Sequence, residues 1–189
     1  MTRLILTDID ETVLRCGDAL EAYCAERLGR PPKHPLRNHF YVCTAFDTTR
    51  EEGNALVRDF WKSPAFRNLA PEECAAIHLP ILYAKGYRFV AITACGDDPE
   101  IEQVRADNLA RAFGFRFEAV HCTGEHGDKS AFLARYSPAI WVEDNFSNAV
   151  VGASYGHRSF LISRGYNEGH EHPAVTRVRD WHDIVEMLG

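Results

Sequence analysis

The chain has 189 residues, of which 46% are hydrophobic and 25% charged, with a formal net charge of −6. That is enough for one sizeable core plus an insertion, and the balance excludes a disordered, collagen-like or coiled-coil chain. The negative charge argues against a partner held mainly through a nucleic-acid phosphate backbone, and no apolar run approaches the roughly 20 residues that span a bilayer.

The first strand is expected at residues 4–7. The opening MTRLILTDIDE joins one positive charge to a short apolar run, but acidic residues follow where a signal peptide would stay apolar, so a cytoplasmic protein is expected. From Arg15 to about Ala70 there is no convincing buried strand; two helices are expected, at 18–28 and 51–61, separated by the non-helical linker Arg30-Pro31-Pro32-Lys33-His34-Pro35. Such a length reads as a small helical cap, residues 15–70, inserted into a core of residues 1–14 and 71–189. Strands then follow at 88–93, 117–121, 139–142 and 159–162. A helix at 98–113, started by an Asp cap, carries its apolar face on Ile101, Val104, Leu109, Ala112 and Phe113. Further helices are expected at 128–136, 145–155 and 181–188. Strands alternating with helices make an α/β fold with a parallel sheet and crossover helices. Cys16, Cys24, Cys43, Cys74, Cys95 and Cys122 have no zinc-knuckle or CxxC spacing and read as reduced, mostly buried thiols.

In open parallel sheets ligands collect beyond the carboxyl ends of the strands. Strand one runs straight into Asp8-Ile9-Asp10-Glu11-Thr12. Carboxylates two residues apart at a strand end can share a direction, one as nucleophile and one as proton carrier. Taken alone, the segment reads more readily as a polar turn with a helix cap, since acidic turns are common. Three more features sit at strand ends: Thr93 closes the second strand, Lys129 follows the third, and Glu143-Asp144 closes the fourth. Each has an ordinary structural reading as a cap or a solvated side chain. Together they put carboxylates, a hydroxyl and an ammonium on one rim.

This constellation, in this order, resembles the haloacid-dehalogenase-like hydrolase superfamily, and its phosphatase branch in particular. The motifs stand as LILTDIDET, FVAIT, Lys129 and AIWVEDNFSN, with Glu11 where members often have Gly. The resemblance implies a Rossmann-like parallel sheet core with helices on both faces and a small helical C1-type cap. It implies that Asp8 attacks phosphorus to form an aspartyl-phosphate, that Asp10 is the acid and then the base, and that Thr93 and Lys129 hold the phosphoryl group. It further implies a magnesium ion bound by Asp8, the main-chain carbonyl of Asp10 and Asp144, with Glu143 acting through water. A softer likeness, to the 5'(3')-deoxyribonucleotidase-like group, rests on the aromatic-containing cap, FLISRGYN and VRDWHDIVEML.

The expected substrate is therefore a small phosphorylated molecule, with nucleoside monophosphates as one class. Phe40, Tyr41, Phe46, Phe60, Trp61 and Phe66 offer either a stacking surface for a base, with Phe46, Phe60 and Trp61 foremost, or the cap's own core, the more usual fate of aromatic residues. His170-Glu171-His172 reads as a solvent loop, and His78 as a packing position in a helical stretch. Nucleic-acid ends are an alternative substrate that the net charge disfavours. Dehalogenation would not need a second acidic residue at Asp10. A signalling receiver also combines an acidic pair, a phosphorylated Asp, a Thr and a Lys, but puts the pair on its first strand and leaves no room for a cap. A phosphate-binding pseudoenzyme is opposed by intact Asp8 and Asp10.

Overall fold

A computed structural model describes residues 3–124 and 127–189, so Met1 and Thr2, where the expected core segment starts, lie outside the described residues. After β1 (Leu4–Thr7) come α1 (Cys16–Leu28), a 3₁₀ turn at Leu36–Asn38, α2 (Val42–Phe46), α3 (Arg50–Trp61), α4 (Pro64–Arg67) and α5 (Glu73–Ala84). The chain continues through β2 (Arg88–Thr93), α6 (Pro99–Phe113), β3 (Ala119–Cys122), α7 (Ser130–Leu133), β4 (Ile140–Glu143) and α8 (Phe146–Ser154). It closes with β5 (Arg158–Ile162), a 3₁₀ turn at Gly165–Asn167, β6 (Val175–Val178) and α9 (Trp181–Leu188).

The strands form one sheet in the order β3-β2-β1-β4-β5-β6, and every neighbouring pair is parallel. Because strand side chains alternate between faces, each strand feeds two cores. Ile5, Phe89, Ala91, Ile140, Val142 and Phe160 pack on one face with residues of α5, α6 and α9. Leu6, Val90, Ile92 and Trp141 pack on the other with Leu133 of α7 and Val151 of α8. This is the expected α/β core with helices on both faces. Helix α8 lies so close over Trp141 that a Cβ at Gly152 would fall 2.1 Å from its ring, so only glycine fits there.

Helix starts follow their caps. Asp98 accepts from the Glu100 amide at 2.8 Å, Asn145 from Asn148 at 3.2 Å, and Thr49 with Glu52 forms a reciprocal capping box on α3. Between β1 and α5 the chain is helical, as expected, with a core of its own made of Cys24, Leu36, Val42, Ala45 and Phe46. Where this segment leaves and rejoins the sheet, its two arms are tied by Arg15 N–H to Ala70 O and Glu72 N–H to Val13 O, each 2.9 Å. Two differences from the sequence reading have simple causes. β6 was not foreseen, because only Val178 of its four residues is buried. The helix expected over 128–136 is one turn, α7. All six cysteines are free, four of them buried. No helix among the described residues is long and apolar enough to cross a membrane.

Candidate active site

With all strands parallel, their carboxyl ends share a rim. The sheet order reverses between β1 and β4, and at such a switch point a crevice opens for a ligand. Asp8 follows β1 directly, Glu143 ends β4 and Asp144 comes next, so three carboxylates flank the crevice. One oxygen from each lies within 4.8 Å of the others. A cleft of about 630 Å³ opens above them, bordered by Asp8, Asp10, Lys129 and Asp144 below and by Tyr41 and Trp61 of the helical segment above.

Lys129, just ahead of α7, donates to Asp8 and, at 2.8 Å, to Oε2 of Glu143. The other oxygen of Glu143 accepts from the Asn145 amide at 3.0 Å. Asp144 is held from three sides: Thr12 Oγ1 donates to Oδ1 at 3.1 Å, the Tyr166 hydroxyl donates to Oδ2, and Asn167 Nδ2 donates to its main-chain oxygen at 2.7 Å. Exposure is 5% for Asp8, 1% for Glu143, 4% for Asp144 and 2% for Lys129, so three carboxylates and one ammonium share a nearly dry space. Burial pushes the Asp8 carboxyl up to about 7, against the pull of Lys129 and with help from Asp144 and Asp10. Glu143 is likewise raised by burial. At Lys129 burial works downward, but Asp8 and Glu143 carry it above the usual lysine value. The local excess of negative charge, all on hard oxygen donors, fits a divalent ion such as magnesium.

Asp10 borders the same cleft with 29% of its side chain exposed, and is ion-paired to Arg105 of α6. Thr93 is fully buried at the end of β2 and does not border the cleft; its Oγ1 accepts from Arg105 Nη2 at 3.4 Å. Glu11 has φ +56°, the left-handed conformation that costs a side-chain-bearing residue and suits glycine. Two contacts hold it there: its carboxylate accepts from Gly17 N–H at 2.6 Å, at the start of α1, and its carbonyl accepts from Arg164 Nε at 3.0 Å. Burial raises the Glu11 carboxyl to about 7.

The aromatic candidates divide. Phe46 is fully buried in the core of the helical segment and presents no face to the cleft; this corrects its reading as a base-stacking residue, since burial leaves no room for a second ring. Phe60 is also fully buried, with ring neighbours Tyr23 at 5.5 Å and Phe66 at 5.4 Å, although its edge reaches the cleft wall. Trp61 is half-buried against the Gly96 backbone. Tyr41 remains 44% exposed under the Arg50 guanidinium, 4.3 Å from ring centre to Cζ. His170 and Glu171 are exposed and Asp8, Glu143 and Asp144 form the one metal-type cluster among the described residues. His78 is half-buried against His182, with ring centres 5.3 Å apart. Reading the sequence missed Arg105 altogether and assigned no role to Thr12, Tyr166 or Asn167.

No family model matches the sequence, and no curated protein matches it. Solved structures do share its fold. A predicted phosphatase from Clostridium acetobutylicum aligns over 100% of this chain and 98% of its own at 14% identity, with a TM-score of 0.68. CbbY from Rhodobacter sphaeroides, solved with phosphate, aligns over 94% of this chain and 93% of its own at 14% identity and a TM-score of 0.61. A protein from Bacteroides fragilis assigned as a haloacid dehalogenase-like hydrolase aligns over 97% of this chain and 100% of its own at 11% identity and a TM-score of 0.66. The chain therefore has the haloacid dehalogenase-like fold over its whole length.

Proposed function

We propose that the protein is a magnesium-dependent phosphomonoesterase that works through an aspartyl-phosphate on Asp8. The observation that carries the reading is the buried cluster of Asp8, Glu143 and Asp144 around the single ammonium of Lys129, with Asp10 beside it on an open cleft. In the first step an Asp8 oxygen bonds to phosphorus while the ester oxygen leaves with a proton from Asp10. In the second step Asp10 takes a proton from water, the water oxygen bonds to phosphorus, and the bond to Asp8 breaks to give inorganic phosphate. Lys129 offsets the charge of the nucleophile and the transferred group. Thr93 accepts from Arg105, so its own proton is free to donate; to meet it, a phosphoryl oxygen would have to enter deeper than the open cleft.

The residues that would hold magnesium are Asp8, Asp144 and the main-chain carbonyl of Asp10. Glu143, committed to Lys129 and the Asn145 amide, would act through water. When bound, the ion lets an anionic carboxylate approach an anionic phosphate. The helical segment 15–70 would serve as the cap that selects the leaving group. Nucleoside monophosphates are one proposed class, and the exposed Tyr41 ring, with Trp61 beyond it, is the surface for a base. The strand order 3-2-1-4-5-6 also speaks against a signalling receiver, whose order is 2-1-3-4-5.

The test is phosphate release from nucleoside monophosphates, sugar phosphates and 5'-phosphorylated DNA ends, with magnesium and with a chelator, on the wild type and Asp8→Asn. Turnover that needs both magnesium and Asp8 is expected. Near wild-type turnover by the Asn variant would refute the covalent mechanism.

A further inference from the structure

Arg105 is fully buried, yet it lies on a helix face built for packing: Ile101, Arg105, Asn108 and Ala112 follow at spacings of four, three and four along α6. Its guanidinium sits 4.8 Å above the Phe66 ring, and Asn108, one turn on, is fixed by a 2.7 Å bond to the Phe66 carbonyl. From this position Nη2 reaches the carboxylate of Asp10 and, at 3.4 Å, the hydroxyl of Thr93. The other groups facing it are the thiols of Cys16 and Cys95. Both Nε and Nη1 are buried with no hydrogen-bond partner among the described residues.

For stability alone this is a poor arrangement. A buried cation with two unmet nitrogens costs free energy that an apolar side chain of similar volume would not. What the cation does have is one carboxylate, and that carboxylate belongs to the residue read above as the acid and base.

We propose that Arg105 is the positioning residue of the hydrolysis, holding the Asp10 carboxylate at the cleft and turning the Thr93 hydroxyl into a donor. The role rests on the phosphomonoesterase reading. Asp10 cannot swing away without leaving a buried guanidinium uncompensated, so the leaving oxygen must come to a carboxyl group already in place, which carries the proton in the first step and is the ionised base in the second. Arginine has no acceptor, so Thr93 must accept from it and keeps its own proton free to donate. One residue thereby sets the hydrogen-bonding sense of two catalytic groups from β1 and β2.

The experiment compares wild type, Arg105→Met, Arg105→Lys, Asp10→Asn and Asp10→Asn/Arg105→Met with magnesium, on an alkyl phosphate and on p-nitrophenyl phosphate. The aryl ester leaves without needing a proton. For Arg105→Met, kcat on the alkyl ester should fall by on the order of 10–100-fold, less than the roughly 10²–10⁴-fold that a positioned general acid supplies because Asp10 itself remains, with little change in KM and a smaller loss on the aryl ester. On the alkyl ester the double variant should be no slower than Asp10→Asn, because both changes remove the same proton transfer. Arg105→Lys, which keeps the charge, should recover part of the loss, and it carries the comparison if the Met variant does not fold. Equal losses on both esters, or losses that multiply in the double variant, would show a structural role and overturn the proposal. A wild type that hydrolyses both esters with an unaffected Arg105→Met overturns it while sparing the hydrolase reading; a wild type inactive on every phosphoester overturns both.

Discussion

Replacing Asp8 by Asn should stabilise the metal-free protein in a defined pH window. Burial moves the Asp8 carboxyl from its ordinary 3.8 to about 7 in the folded chain. Between these values the folded state holds a proton that the unfolded state has released, so stability falls as pH rises through the window and levels off above it. At about 1.4 kcal/mol per decade the full cost is about 4 kcal/mol above pH 7, vanishing near pH 4. Asn carries no charge and escapes that cost, in which the pull of Lys129 is already included, so a gain on the order of 2–4 kcal/mol near pH 8 is expected. Urea unfolding with a chelator present, followed by tryptophan fluorescence at several pH values, measures the difference; Trp141 and Trp181 are both buried and will report it. Magnesium should narrow or reverse the order near pH 8, because it stabilises the wild type more than a variant lacking one ligand. An Asn variant less stable than wild type near pH 8 without metal would refute the argument that the carboxylates are crowded.

Removing Lys129 and removing Asp144 should fail differently. Lys129→Ala should stay slow at any magnesium concentration, whereas Asp144→Ala should recover part of its activity as magnesium is raised, and equal rescue of both would mean a role is misassigned. Gly152→Ala should destabilise by about 3 kcal/mol or more, because its methyl would fall 2.1 Å from Trp141 in a packed core; an unchanged melting temperature would mean that α8 can move off β4. Tyr41→Ala should weaken turnover of a nucleoside monophosphate by on the order of 1–3 kcal/mol in kcat/KM and leave a small aryl phosphate nearly untouched. Equal effects on both would remove the base from the proposed recognition.

The sheet was legible where strands are buried on both faces. Ile5 and Leu6, Phe89 to Ile92 and Phe160 to Ile162 read as unbroken apolar runs because neither side of those strands meets water. β6 carries Thr176 and Arg177 to the surface at the sheet edge, where charge and polarity protect the unpaired outer side of the strand, and the same polarity hid it. The helical character of the segment between β1 and α5 was legible from its lack of a buried apolar strand pattern. The segment's interior was not: a run of scattered aromatic residues does not say which rings face inward, and of two with the same reading Phe46 is buried while Tyr41 stays exposed.

Within the site, the legible residues are those whose place is set by a neighbouring strand. Asp8 must follow β1, and Glu143 and Asp144 must end β4, so naming the strand also names the rim. Lys129 follows by the same logic from β3. Tyr166 and Arg105 are different, since they arrive from turns and helices whose docking no local pattern records. Arg105 did leave one mark. It stands four residues after Ile101 and four before Leu109, both counted as apolar positions of α6, so it falls on or beside the stripe that the helix buries. A permanently charged side chain at such a position requires a carboxylate across the interface, because burying it unpaired costs more than a helix face can return. With Thr93 twelve residues earlier at the rim, the acidic groups within reach are those of the rim itself; Lys129 answers Asp8 and Glu143, which leaves Asp10 and Asp144 as the carboxylates open to it. Asking which buried cation answers which rim carboxylate would have narrowed the partner of Arg105 to these two before any coordinates were known.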